Sequence, residues 1–157
     1  MAAKAPLTVK EAKIKAADFC AYQERTQQQV RDKLYSYGLT PDEVEDVLTD
    51  LITEGFVNEE RFAISYAGGK FRLKKWGRLK IIQGLKALKI SDYCINKGLQ
   101  EINEDDYLDT LNTLLEKKRQ SIKEQDNFII KKKLANYALQ KGYETDLIWD
   151  CIGQGEM

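Results

Sequence analysis

The sequence predicts an all-α protein of three tandem three-helix, helix-turn-helix-like repeats, and three observations carry that prediction. The first is internal periodicity. Val30, Leu34, Leu39, Thr40, Val44, Leu48 and Leu51 return 51 positions later as Ile81, Leu85, Ile90, Ser91, Ile95, Leu99 and Ile102. In a weaker third copy, 53 positions further on, Leu134, Ala138, Tyr143, Ile148 and Ile152 replace Ile81, Leu85, Ile90, Ile95 and Leu99. The second is the lack of any sustained strand alternation bounded by hairpin turns. The third is a recurring set of helix start and stop signals. Self-similarity at this period marks a helical array in which each unit buries part of its apolar face on its neighbours. The predicted divisions are a flexible N-terminal arm over 1–9 and repeats over 10–55, 56–102 and 103–157, the second of them basic.

The elements follow in order. Pro6 ends the arm, and a first helix is expected from about Lys10 to Glu24, with Ile14, Ala17 and Ala21 on one side. Thr26 and Gln29 form a capping box for a helix carrying Val30, Leu34 and Tyr37 and stopping at Gly38. Thr40-Pro41-Asp42-Glu43 supplies an N-cap, a first-position proline and a capping glutamate. The stripe Val44, Val47, Leu48, Leu51, Ile52 follows, closed by Gly55. Asn58-Glu59-Glu60 opens the second repeat with acids suited to the positive end of a helix. Its stripe is Phe62, Tyr66, Gly69, Leu73 and Trp76. Gly68-Gly69, each about 1 kcal/mol less favourable than alanine in a helix, marks a kink or a close helix approach. Gly77 separates the next helix, with Leu79, Ile82 and Leu85, and Ser91 caps the one holding Ile95, Leu99 and Ile102. The third repeat starts at Asn103-Glu104-Asp105-Asp106 and carries Tyr107, Leu111, Leu114 and Leu115. A polar connector over Lys117–Asp126 leads to a helix with Phe128, Ile129, Leu134 and Leu139, ended by Gly142. The last helix holds Leu147, Ile148, Trp149 and Ile152. Gly68-Gly69 and the connector are candidate hinges.

Composition narrows the function. Histidine is absent, which removes the commonest general base and every His-based triad or metal site. The three cysteines, Cys20, Cys94 and Cys151, are far apart and without a CxxC pair, so reduced, partly buried thiols are expected rather than a disulfide or zinc site. No apolar run is long enough to span a bilayer and no signal peptide is apparent, which makes the cytoplasm the expected compartment. Asp105 and Asp106 read as helix-start charges. No Gly-rich phosphate loop or nucleophile elbow occurs. A non-enzymatic chain without cofactor or metal is expected.

A formal net charge of zero, from 25 basic and 25 acidic residues, hides an asymmetry. From Lys70 to Lys89 there are eight bases (Lys70, Arg72, Lys74, Lys75, Arg78, Lys80, Lys86, Lys89) and no acid; from Asp42 to Glu60 there are eight acids and no base. The basic block reads either as a solvated helix face or as a contact for a polyanion. The acidic block reads either as helix-start charge or as a contact for something basic, in a partner or in this chain. Trp76 and Tyr66 fit core packing better than stacking on unpaired bases. In Lys131-Lys132-Lys133, consecutive bases spread over different helix faces, which favours solvated surface.

At Gly55-Phe56-Val57-Asn58-Glu59-Glu60-Arg61-Phe62-Ala63 the sequence resembles the RecX family, the regulators of RecA recombinase. The family pattern there is glycine, two apolar residues, acids and Arg-Phe, followed by bases, a glycine before an arginine, a leucine helix and a "KGI"-like end. Lys70-Phe71-Arg72, Lys74-Lys75-Trp76-Gly77-Arg78 and Leu88-Lys89-Ile90 stand in those places. Arg25-Thr26-Gln27-Gln28-Gln29-Val30-Arg31-Asp32-Lys33-Leu34 resembles the first-repeat pattern. Leu134 through Gly142-Tyr143 and Ile148 resembles the third. The resemblance covers about residues 16–153. Gln29 replaces the usual Glu, Lys89 the common glycine, and Gly68-Gly69 bulkier residues.

This resemblance implies three three-helix units in an elongated, curved molecule that binds along the RecA–DNA filament, bridging protomers or capping a growing end. Inhibited ATP hydrolysis, strand exchange and coprotease activity would follow, with effects on recombination, DNA repair and the SOS response. The partners implied are RecA, free and in filaments, and single-stranded DNA, with double-stranded DNA as a further ligand; no membrane is involved and the chain is a monomer. The basic block and the resemblance together select Lys70, Arg72, Lys74, Lys75, Arg78 and Lys80 for DNA or filament binding. Arg25, Arg31, Lys131, Lys132 and Lys133 are secondary. The rival readings are a sequence-nonspecific DNA-binding protein independent of RecA, and a helical-repeat adaptor between proteins.

Overall fold

Nine helices and no strand occur among the residues that the computed structural model describes, 5–154. They are α1 (Val9–Tyr22), α2 (Gln27–Ser36), α3 (Pro41–Thr53), α4 (Glu59–Lys74), α5 (Arg78–Ala87), α6 (Asp92–Gln100), α7 (Glu104–Ser121), α8 (Asn127–Lys141) and α9 (Thr145–Gln154). Residues 1–4 of the expected arm lie outside the described range. The chain divides into two compact units, one up to Phe62 and the other from Ala63 onward. In the first, α1, α2 and α3 pack on one another. In the second, α5 packs on α6, and α7, α8 and α9 pack mutually.

Polar residues ahead of each apolar stripe start the helices. Thr8, Thr26 and Thr40 each accept from the amide three residues on, and Glu11, Gln29 and Glu43 reach back to the cap's own amide. Each such cap contributes about 1 kcal/mol. Ser91, Asn103 and Asp126 cap α6, α7 and α8, and the Asn58 side chain accepts from the Arg61 amide at the start of α4.

The repeat is also written in the backbone. The middle helix of each repeat is followed by a residue in left-handed conformation: Gly38 (φ 91°), Lys89 (φ 62°) and Gly142 (φ 97°). These occupy equivalent positions in the periodicity, each followed by a buried apolar residue, Leu39, Ile90 or Tyr143. The Ile90 and Tyr143 amides close back onto the Leu85 and Ala138 carbonyls at 3.1 Å, the closing turn that favours glycine. Lysine at this position is strained by about 1 kcal/mol. Lys89→Gly is therefore expected to stabilise the protein by about that amount, raising the melting temperature by roughly 2–4 °C; a lowered temperature would contradict the strain argument.

The periodic positions are the core. Val30, Leu34, Val44, Leu51, Ile81, Leu85, Ala138, Tyr143 and Ile148 have no exposed surface. Three faces differ from expectation, and in α8 Phe128, Ile129 and Leu139 are exposed while Leu134 is buried. Helix α1 buries Ala12, Ala16 and Cys20, not the Ile14 side, and Ile14 is 56% exposed. Small residues spaced four apart let α1 lie against α2 and α3 more closely than an isoleucine would. Helix α4 likewise turns Ala63, Ala67 and Phe71 inward and leaves Leu73 85% exposed. Its close approach is made by the alanine face: a Cβ on Gly98 of α6 would sit 2.7 Å from the Ala63 carbonyl oxygen. Helix α4 continues through Gly68 and Gly69, and a Cβ on Gly69 would meet only open space. Helix α7 extends to Ser121, so Lys117 belongs to it and the connector shortens to residues 122–126.

Candidate nucleic-acid interface

The basic block spans the junction of α4 and α5, and the second unit builds that junction as a fixed corner. Helix α4 closes with Lys75 in left-handed conformation (φ 60°), its amide bonded to the Phe71 carbonyl at 3.0 Å. Gly77 then passes against the end of α8. Its amide donates to the Lys141 carbonyl (2.7 Å) and the Leu79 amide to the Gly142 carbonyl (2.9 Å). A Cβ on Gly77 would lie 2.5 Å from the Tyr143 amide nitrogen. Two buried tyrosines complete the corner: the Tyr107 hydroxyl accepts from the Arg78 amide, and the Tyr143 hydroxyl donates to the Lys75 carbonyl, both at 2.9 Å. Because these partners occupy amides at the start of α5, its N-terminus is not an open anion site.

On this corner Trp76 is half-buried and ringed by lysines. The ammonium nitrogens of Lys70, Lys74 and Lys80 lie 4.9, 5.9 and 4.8 Å from its ring centroid. Lys70 and Lys74 are one helical turn apart on α4, and Lys80 arrives from α5 across the left-handed turn. Tyr66 holds the indole edge-on at 6.5 Å; its own hydroxyl lies beside Gly84, where a Cβ would collide with it. Among the described residues, Lys70, Arg72, Lys74, Lys75 and Lys80 make no ion pair. Arg72 and Lys74 suit the negative end of α4, but Lys80 is near the positive end of α5, where the dipole opposes a cation. The helix dipole alone therefore does not account for this cluster. Cations without acidic partners beside an aromatic face are a combination chemically suited to a single-stranded polyanion.

Arg78 stands apart from these lysines. Its guanidinium lies 3.9 Å from the centroid of the Tyr107 ring and bonds Glu144 at 2.7 Å and Glu104 on its other nitrogen. The Tyr107 hydroxyl donates to the second Glu144 oxygen. Arg78 thereby ties the second repeat to the third. Burial, and then the hydrogen bond to Glu144, push the Tyr107 phenol far above its ordinary value near 10; burial does the same for Tyr143. A group whose pKa is raised by folding contributes full stability below its unfolded pKa and loses it as pH rises beyond that value. The urea midpoint should consequently fall as pH rises above about 10. Tyr107→Phe, less stable at neutral pH, should lose less over the same interval; equal losses would contradict this assignment.

The secondary bases are partly engaged elsewhere. Arg25 lies 3.7 Å from the Phe19 ring centroid and donates to the Phe19 carbonyl, while Arg31 pairs with Glu45 at 2.8 Å. Lys133 pairs with Glu124 at 3.3 Å, and Lys132 is exposed. Lys131 is ten residues before Lys141, about 15 Å along α8. The acidic block serves its own unit: Asp50 and Glu54 pair with Lys13, and Glu59 accepts from the Gln27 amide. Burial raises the Cys20 and Cys151 thiols above their ordinary range. No group of three His, Cys, Asp or Glu residues is placed to hold a metal among the described residues. No described helix is long and apolar enough to cross a membrane.

Three RecX domain families match the chain in order: the first three-helix domain over residues 12–51, the second over 58–99 and the third over 104–152. The regulatory protein RecX of Bacillus mycoides (strain KBAB4) is 28% identical over 144 residues, 92% of this chain and 53% of that protein. The RecX of Bacillus thuringiensis (strain Al Hakam) is 26% identical over the same shares. The chain thus spans about half the length of the curated relatives it matches. Among solved structures, RecX from Lactobacillus salivarius aligns with a TM-score of 0.86 at 23% identity, covering 93% of this chain and 95% of that one. A second regulatory protein RecX aligns at 0.79 and 20% identity, covering 93% and 73%.

Proposed function

The chain belongs to the RecX family, and on that premise we propose that it is a non-enzymatic regulator that binds RecA and the RecA–single-stranded DNA filament. Engaging the filament groove or capping its end, it inhibits ATP hydrolysis, strand exchange and coprotease activity, and so modulates recombination, repair and the SOS response. It acts in the cytoplasm as a monomer, with double-stranded DNA as a secondary ligand. The observation that carries this reading is the Trp76 cluster, where three lysines without acidic partners among the described residues surround one aromatic ring inside the second RecX domain. Lys70, Lys74 and Lys80 contact phosphates, Arg72 and Lys75 extend the same surface, and Arg78 holds the corner that presents them.

Fluorescence anisotropy of labelled single-stranded DNA, bare and RecA-coated, tests the dependence on RecA. The coated strand should bind this chain more tightly at the same salt. Equal affinity for both, falling steeply with salt, would favour a DNA-binding protein that ignores RecA. Binding to neither would leave a protein adaptor.

A further inference from the structure

We propose that the third repeat carries a second contact for single-stranded DNA, centred on Tyr137; this rests on the nucleic-acid reading of the Trp76 cluster. Lys133, Tyr137 and Lys141 are spaced four apart on α8 and so share one face. Opposite them, the end of α7 and its connector supply Lys118 and Lys123. Lys118, Lys123, Lys133 and Tyr137 line a groove of about 520 Å³ that also presents Asn136 and Gln140, and Lys141 stands one turn beyond Tyr137 on the same helix. The Lys118 and Lys141 ammonium nitrogens lie 5.1 and 6.0 Å from the Tyr137 ring centroid. The acid lining this groove, Glu124, is taken by Lys133.

The arrangement repeats that of Trp76 with different residues. In both, lysines rest over an aromatic ring instead of against a carboxylate. Such cations are free to turn to a phosphate, which would leave the ring face for a base. The two places are joined directly, because the Lys141 carbonyl accepts the Gly77 amide. Tyr137 is four residues before Lys141, about 6 Å along the helix, and Trp76 immediately precedes Gly77. A strand running from the indole along the end of α8 would reach Lys141 and then the Tyr137 ring. The neutral amides of Asn136 and Gln140 suit a base edge or a sugar hydroxyl. Single-stranded DNA fits this groove better than a duplex, whose paired bases offer no free face to Tyr137.

The test is anisotropy of a fluorescein-labelled 30-nucleotide oligo(dT) over a salt series, with the full chain and variants shown to be folded by circular dichroism. Tyr137→Ala should weaken binding by about 5- to 100-fold, with Tyr137→Phe close to wild type. The double variant Lys118→Glu/Lys123→Glu should reduce the slope of log affinity against log salt by about 1.4, two phosphates at roughly 0.7 each. If Tyr137→Ala and the double variant bind as wild type while Lys70→Glu/Lys74→Glu/Lys80→Glu loses affinity, the second contact is overturned and the Trp76 reading stands. If the reverse holds, the groove is the strand site and the Trp76 reading falls. No binding by the wild type overturns both.

Discussion

Replacing Lys70, Lys74 and Lys80 together by glutamate is expected to weaken binding to single-stranded DNA by about 100-fold, or roughly 1 kcal/mol for each phosphate deprived of its cation. The three ammonium groups converge on Trp76 without an acid among the described residues to share them, so their reversal removes attraction and adds repulsion at one place. The salt dependence should flatten by about 2, three phosphates at roughly 0.7 each. The fold should survive, because none of the three makes an ion pair among the described residues and the three cation–π contacts together contribute at most about 1.5–3 kcal/mol. Loss of folding in this variant, or unchanged affinity in a folded one, would contradict the assignment.

The second large effect is on the fold. Gly142→Ala is expected to destabilise the second unit by about 2–5 kcal/mol, read as a fall of roughly 4–20 °C in its thermal transition. Two causes add. The residue is in left-handed conformation at φ 97°, which costs an alanine about 1–2 kcal/mol. Its Cβ would also lie 2.6 Å from the Lys80 backbone nitrogen, forcing α5 away from α8 at a cost of about 1–3 kcal/mol. Gly77→Ala, at ordinary φ, should show the packing cost alone. Both variants would disturb the Lys141–Gly77 and Gly142–Leu79 hydrogen bonds that seat the corner. A fall for Gly142→Ala no larger than for an exposed substitution would mean that this packing is not tight.

Much of this architecture was legible because burial repeats with the sequence. Val30, Ile81 and Leu134 are equivalent positions, and all three are buried; a periodicity of apolar residues is a direct record of which face turns inward. The left-handed position was legible at Gly38 and Gly142 and hidden at Lys89, where only the register reveals it. The inward faces of α1 and α4 were obscured because alanine carries little hydrophobic signal while Ile14 and Leu73 carry a strong one. In such faces close backbone approach, rather than apolar area, decides the side that is buried.

The candidate site was legible in composition and hidden in geometry. The spacing of four between Lys70 and Lys74 already places them together, but Lys80 joins them only through the left-handed turn at Lys75. Trp76 fits a core stripe in sequence and is a half-buried ring in the fold, since that stripe is buried at Phe62 and turns out to solvent by Leu73. Arg78 could not be told from its neighbours by pattern. Its partners Glu104 and Glu144 lie 26 and 66 residues away, and only the packed third repeat brings them to its guanidinium. Tyr137 was hidden because Lys131-Lys132-Lys133 is the conspicuous run, whereas the informative spacing is that of Lys133, Tyr137 and Lys141.

The most direct test of the central claim is ATP hydrolysis by RecA filaments on single-stranded DNA, titrated with this chain and, in parallel, with the Lys70→Glu/Lys74→Glu/Lys80→Glu variant. The wild type should inhibit at well below one molecule per RecA protomer, and the folded variant should require a far higher concentration or fail to inhibit. Hydrolysis unaffected by the wild type, or inhibited equally by both, would contradict a filament regulator acting through the Trp76 lysines.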